Sequence, residues 1–234
     1  MRPYFPGLNE RSRYNRRKRD LWSVILAVRI RLQVVLDALE LEETAAIDSA
    51  PVPCVGYTRA KRASDFAGTA EYGVCSSKAL KYFGLKLHSV VSLTGVVMGF
   101  LLTGASHYDN QAVVALLDSF AHHLKRLLGD GAYNDAALQI FLEQYRSVEL
   151  LAPVKVNQPP IRSKQAQQPL TRLRLICETV NAQVQEQSHL SKHYAKSTWG
   201  LFTRIAAKLT AHSVGMMLNQ LVGRPRLRLA DLAV

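Results

Sequence analysis

AAIDSAPVPCVGYTRAKR, residues 45–62, begins as a short apolar run, meets one acid at Asp48, passes Ser49, Pro51 and Pro53, and ends on Arg59, Lys61 and Arg62. Residues 44–55 have the character of a strand that stops in prolines, which lack the N–H a ladder needs. A carboxylate at the mouth of a strand does little for stability. It is a common way to hold a metal ion, and it is also an ordinary turn former ahead of a proline. The reading of this stretch sets the fold, because everything after it alternates strands and helices.

Upstream, Leu21, Ile25, Val28, Leu32, Val35 and Leu39 recur at helical spacing and predict one helix over 21–41. The residues before it, 1–20, read as a basic loop crowded with Arg11, Arg13, Arg16, Arg17, Lys18 and Arg19. Downstream, 56–80 is polar and basic without a clear period. Strands are expected over 82–92 and 96–105, joined by a hairpin turn at Leu93-Thr94-Gly95-Val96. A helix over 110–124, a strand over 124–128 and a helix in AALQIFLEQY, capped by Asn134 or Asp135, come next. A strand over 148–156, a Pro- and Gln-rich loop over 157–169 and helices over 170–187 and 197–221 finish the chain, before a mobile tail, GRPRLRLADLAV. Strand, two paired strands, helix, strand, helix, strand, helix, helix is a mixed α/β order: a central sheet covered by helices.

Composition narrows the partners. The 234 residues carry 30 Lys and Arg against 18 acids, a net charge of +12, which favours a polyanion such as nucleic acid or anionic lipid. Cys54, Cys75 and Cys177 match neither a zinc spacing nor a disulfide framework and read as reduced thiols. The longest apolar stretch, 90–105, is too short for a membrane span and is interrupted by polar residues and glycines. Arg29 and Arg31 inside the first apolar run argue against an export signal, so a cytoplasmic protein is expected, with no membrane partner.

Two acids lie just past buried strands, where ligands collect in such sheets: Asp48 and Asp130, the latter in LLGDGAY between two glycines that let the backbone turn and a ligand approach. A third, Glu178, borders the apolar stripe Leu173, Cys177, Val180 and Val184 of a helix. Three carboxylates brought together repel one another unless a cation joins them. Oxygen donors without His or Cys select Mg²⁺ or Mn²⁺. Two such ions roughly 3.5–4 Å apart support phosphodiester cleavage. Each acid also has an ordinary account: Asp48 and Asp130 as turn residues, Glu178 as the partner of Arg174 one helical turn back.

Other polar residues divide in the same way. Lys86 and His88 alternate on a strand beside the proposed site, as phosphate contacts or as surface and packing residues. Asp109 reads as a helix cap, His189 and His193 as a solvated face, and Trp199 as core. Arg59, Lys61 and Arg62 after the first strand, and Lys155 and Asn157 at the end of another, are placed to hold DNA phosphates.

At this point the chain resembles a DDE-type transposase of a bacterial insertion sequence. The resemblance is carried by FPGLNERSRYNRRKRDLW, IDSAPVPCVGYTRAKR, YGVCSSKALKYFGLKLH, LTGASHYD, LLGDGAY, APVKVNQ, RLICETVNAQ and KSTWGLFTRIAAKLTAH, in this order across most of the chain. It implies a ribonuclease-H-like fold in which Asp48, Asp130 and Glu178 are the catalytic acids and hold two Mg²⁺ or Mn²⁺ ions. It implies cleavage at element ends and joining to target DNA, a double-stranded DNA partner, a homodimer in the synaptic complex and a nucleoid-associated location. Related chains often show Lys-Gly where Gly131-Ala132 stands. Of a Tyr-Arg-Glu-Lys signature, Arg174 and Glu178 fit, while Thr171 and Gln185 replace the outer two. The expected organisation is 1–43 as a basic segment and helix left from a longer DNA-binding region, 44–221 as the catalytic domain and 222–234 as a basic tail. A DNA-binding relic without chemistry and another nuclease of the same fold are the alternatives.

Overall fold

The 13-residue strand β3 (Leu80–Ser92) is the spine of the sheet in the computed structural model. The structure describes residues 10–36, 43–62, 65–120, 124–153 and 164–232; for 11, 61, 62, 77, 164–174 and 231 this means the backbone alone. On one side β3 pairs antiparallel with β1 (Thr44–Val55), and on the other with β2 (Glu71–Cys75) and then β4 (Val97–Gly104). Beyond β1 the sheet turns parallel, through β5 (Arg126–Leu128) and β6 (Glu149–Leu151). The hairpin from β3 to β4 turns where the sequence predicts, with Gly95 at φ +92°.

Side-chain alternation along β1 splits the core into two layers. Ala46 and Val52 face one way with Leu87 and Val91 of β3, under Cys177, Val180 and Val184 of α5 (Lys164–Glu186) and Leu201, Ile205 and Leu209 of α6 (Thr198–Leu221). Ala45 and Ile47 face the other way, under α3 (Val113–Asp118) and α4 (Ala136–Arg146). Ser197 caps α6 through its hydroxyl, and Asp135, one of the two predicted candidates, caps α4 by accepting from Ala137 and Leu138. The result is the ribonuclease-H-like mixed α/β arrangement expected from the sequence.

The structure departs from the sequence reading where tertiary contacts decide. The basic stretch is not a loop: Arg11–Asp20 is helix α1, separated by Leu21 from α2 (Trp22–Val35). The expected stripe of α2 faces the core only in part, through Ile25 and Leu32. Leu21, Val28 and Val35 are exposed, Leu39 lies outside the described residues, and Arg29, Leu32, Gln33 and Leu36 are buried. The reason is polar: Arg29 Nη1 donates to the Val97 and Met98 carbonyls at 3.0 and 3.1 Å, and Gln33 Nε2 donates to the same two. Those carbonyls at the start of β4 are satisfied by α2 side chains, and the Arg29 guanidinium lies 5.3 Å from the Phe100 ring centre.

Strand β2 lies inside the segment read as aperiodic, because its five residues alternate only between half-buried and exposed positions. The helix expected over 110–124 is shortened to α3 after a 3-10 turn, Asp109–Ala112. Helix α5 begins at Lys164, inside the stretch read as loop. The tail is docked, not mobile. Arg226 donates to the Leu36 carbonyl at 3.0 Å, Gln183 donates to that of Leu227 at 2.7 Å, and the Leu227 side chain fills the space above Gly95. Trp199 is 45% exposed and stacks on Phe202, with Trp22 edge-on to it, so it joins α2 to α6 at the surface.

Candidate active site

The parallel pairing of β1 and β5 ends at Ala46 and Leu128, and two residues further along each chain stand Asp48 and Asp130. Ala46 and Leu128 share one core layer, so the period of two directs both acids toward the α5 face, Asp130 just past β5 and Asp48 within β1 where its pairing with β5 stops. The sequence predicts both acids just past strands. Asp130 does follow β5, but Asp48 lies within β1, paired with Ser89, because the ladder with β3 carries β1 on to Val55.

Each acid is held. Asp48 Oδ1 accepts from the Ser49 N–H at 2.8 Å and its Oδ2 from Asn181 Nδ2 at 3.1 Å. The Asn181 Oδ1 accepts in turn from Ser89 Oγ at 3.1 Å, so one amide of α5 bridges β3 and the β1 carboxylate. Asp130 Oδ1 accepts from the Ala132 N–H at 2.8 Å, which fixes it at the start of a 3-10 turn, Gly131–Tyr133. Gly129 is needed for space: a Cβ there would stand 2.8 Å from Cβ, Cγ and Cδ2 of Tyr133. Gly131 has no such neighbour, its nearest contact being the Pro153 carbonyl at 3.9 Å.

Tyr133 reports the electrostatics beneath the acids. Its ring is fully buried and its hydroxyl has no hydrogen-bond partner. Burial first, then the carboxylates of Asp109, Asp48 and Asp130, push its hydroxyl well above the usual phenol range, so it stays a neutral donor. Asp109 stands on the opposite face of the sheet and is no helix cap. It takes Lys86 Nζ at 3.0 Å and lies 4.0 Å from His88 Nδ1. His88 is buried, contacts Thr103 Oγ1 through Nε2 at 2.8 Å, and is driven down to about 4 by burial, with Asp109 opposing and Lys86 and His107 adding to it.

Glu178 is exposed on α5, one turn before Asn181, on the helix that reaches Asp48. Among the described residues no group of three or more His, Cys, Asp or Glu is arranged to hold a metal ion. The donor set of the Asp48–Asp130 pair nonetheless suits a hard divalent cation: oxygen ligands only, each oriented by a hydrogen bond, above a neutral phenol without a partner.

The expected phosphate contacts separate. Arg59 is exposed on the 3-10 turn Tyr57–Arg62 that follows β1, with Lys61 and Arg62 on the same turn. The backbone of Arg174 lies one turn before Glu178. Lys86 is bound to Asp109 and to the His107 carbonyl on the far face, away from Asp48. Lys155 and Asn157 lie outside the described residues. His189 is exposed, but His193 is buried and uses both ring nitrogens, Nε2 toward the Pro53 carbonyl at 3.0 Å and Nδ1 from the Ala195 N–H, so the pair is not a solvated face.

Two contributors went unread in the sequence: Asn181 and Tyr133. Asn181 follows Cys177 by four on the apolar stripe, a polar residue in a buried position, and that was its signal. Tyr133 gave none beyond standing three residues after Asp130.

No described helix is long and apolar enough to cross a membrane. Comparison with curated proteins and with solved structures returned no significant match. The family model for the transposase DDE domain matches residues 40–214, from just before β1 into α6, and covers both acids, Asn181 and Glu178. A domain of this family implies a nuclease of transposition that acts on DNA with divalent metal ions. With that match spanning most of its length, the chain belongs to the DDE transposase family.

Proposed function

We propose that this chain cuts DNA at the ends of an insertion sequence and joins the freed strand to target DNA, with Asp48, Asp130 and Glu178 as the catalytic acids. What supports this reading is the β1–β5 register, which puts Asp48 and Asp130 two residues beyond the paired Ala46 and Leu128, each already oriented by a hydrogen bond. Glu178 stands on the helix that holds Asp48 through Asn181, one turn before that residue. Bound there, two Mg²⁺ or Mn²⁺ ions supply activation of the attacking oxygen and stabilisation of the leaving one.

The chain's own residues do the positioning. Asn181 and the Ser49 N–H fix the orientation of Asp48, and the Ala132 N–H fixes that of Asp130. Arg59, Lys61 and Arg62, on the turn after β1, and Arg174, on α5, hold phosphates of the bound duplex. Lys155 and Asn157 extend this set. The protein works as a homodimer across two ends, in the nucleoid.

The test is incubation with a duplex carrying the element end and a target duplex in Mg²⁺. The expected products are a nick at the end and a joined strand. Cleavage without joining would favour a different nuclease of the same fold. Binding without either product would favour a relic that holds DNA.

A further inference from the structure

Helix α1 and the start of α6 enclose a groove of about 450 Å³, lined by Arg16, Lys18 and Arg19 on one wall and Lys196 and Arg204 on the other. None of its described lining residues is an acid. The groove is built. Arg204 donates to the His193 carbonyl and, at 3.4 Å, to Asn15 Oδ1, which ties α6 to α1. His193 is in turn bonded to the Pro53 carbonyl, so the groove stands at the carboxyl end of β1. Pro53 lies five residues beyond Asp48, about 17 Å along an extended strand.

The charges are crowded. Burial and then Arg204 lower the Lys18 ammonium, and burial, then Lys18 and Arg204, lower that of Lys208 one turn further along α6. Like charges gathered this way oppose folding unless an anion joins them. At the mouth, Tyr194 is 72% exposed and holds a left-handed backbone at φ +52°, a conformation that costs energy in a non-glycine residue and concentrates at binding sites. Cations lining a channel with an exposed ring at its mouth match the way proteins follow a nucleic-acid backbone.

We propose that this groove is a second DNA-backbone site, distinct from the acids, which holds consecutive phosphates of the duplex leaving the cleavage edge while Tyr194 packs on a sugar or base. The proposal rests on the DNA reading above and adds the path of the flanking duplex.

The experiment is fluorescence anisotropy with a labelled duplex in EDTA across a salt series, beside the Mg²⁺ cleavage assay. Arg16→Gln/Arg19→Gln is expected to weaken binding about tenfold or more and to lower the log–log salt slope by about two. Lys18→Gln is expected to lower it by about one with an unchanged or higher melting temperature, because it removes a half-buried cation from among like charges. The charge-matched Lys125→Gln/Arg126→Gln, at the opposite end of the sheet, should keep the wild-type slope. Groove variants equal to wild type, or a control that loses as much, would overturn the groove while leaving the cleavage reading intact. A wild type that binds no duplex and cuts none would overturn the DNA reading and the groove with it.

Discussion

The Asn181 amide donates to the Asp48 carboxylate at 3.1 Å and accepts from the Ser89 hydroxyl at the same distance. One buried side chain thereby fixes the orientation of an acid on β1 from helix α5, the helix that also carries Glu178. Removing it should loosen the site without removing a ligand. Asn181→Ala is expected to raise the metal concentration needed for cleavage about 10- to 100-fold, the usual cost of losing an orienting partner. Duplex binding in EDTA should stay at the wild-type value. A metal titration of cleavage rate checks this.

The two glycines around Asp130 should respond oppositely. Gly129→Ala would press a methyl group into the Tyr133 ring and is expected to cost about 1–3 kcal/mol. Gly131→Ala meets open space at an ordinary φ and is expected to be neutral or to stabilise by up to about 1 kcal/mol. Denaturant midpoints of the two variants separate the outcomes.

Tyr133 carries a buried hydroxyl without a partner. Tyr133→Phe removes that desolvated group and keeps the ring, so stability should rise by up to about 1 kcal/mol. For a chain of this size that is about 2–4 °C in melting temperature.

The anchoring of α2 is polar, and it should be costly to break. Arg29→Ala removes two hydrogen bonds to β4 and the contact with Phe100. A loss of about 2–4 kcal/mol is expected, more than for truncating an exposed residue such as Val28 on the same helix. Chemical denaturation with the m-value monitored provides the comparison.

Two buried imidazoles set an acid limit. Burial drives His212 down to about 4 and is also the main cause of the fall of His88 to about 4. Unfolding restores them to about 6.5, so the unfolded chain binds more protons in between. The stability carried by the neutral rings is fully present above about pH 6.5 and is lost as the pH falls toward 4. His212→Gln should flatten this slope between pH 6.5 and 4, measured as the change in denaturant midpoint.

Much of the sheet was legible because its signals are local: an apolar run at the start of β1, a glycine turn between β3 and β4, an acid cap on α4. Asp130 was legible as a residue just past a strand, whereas Asp48 was misplaced at a strand end. β1 runs on through Pro51 and Pro53 to Val55 because β3 pairs with it throughout, and the register of β1 against β5 relates the two acids. What stayed hidden depends on distant partners. α2 turns Arg29 and Gln33 inward because β4 offers bare carbonyls, β2 forms because β3 offers a free edge, and the tail docks because Leu36, Gly95 and Gln183 receive it. Helical periodicity alone favours the more apolar face, so the expected stripe shares only Ile25 and Leu32 with the buried one.

The central claim is that Asp48 and Asp130 together hold the metal that cuts DNA. The most direct measurement is calorimetric titration of Mn²⁺ into the protein bound to duplex, wild type against Asp130→Asn. The account predicts saturable binding in the wild type that is abolished in the variant, while the duplex itself binds both equally. Equal Mn²⁺ binding by the two proteins, or none by the wild type with duplex present, would contradict it.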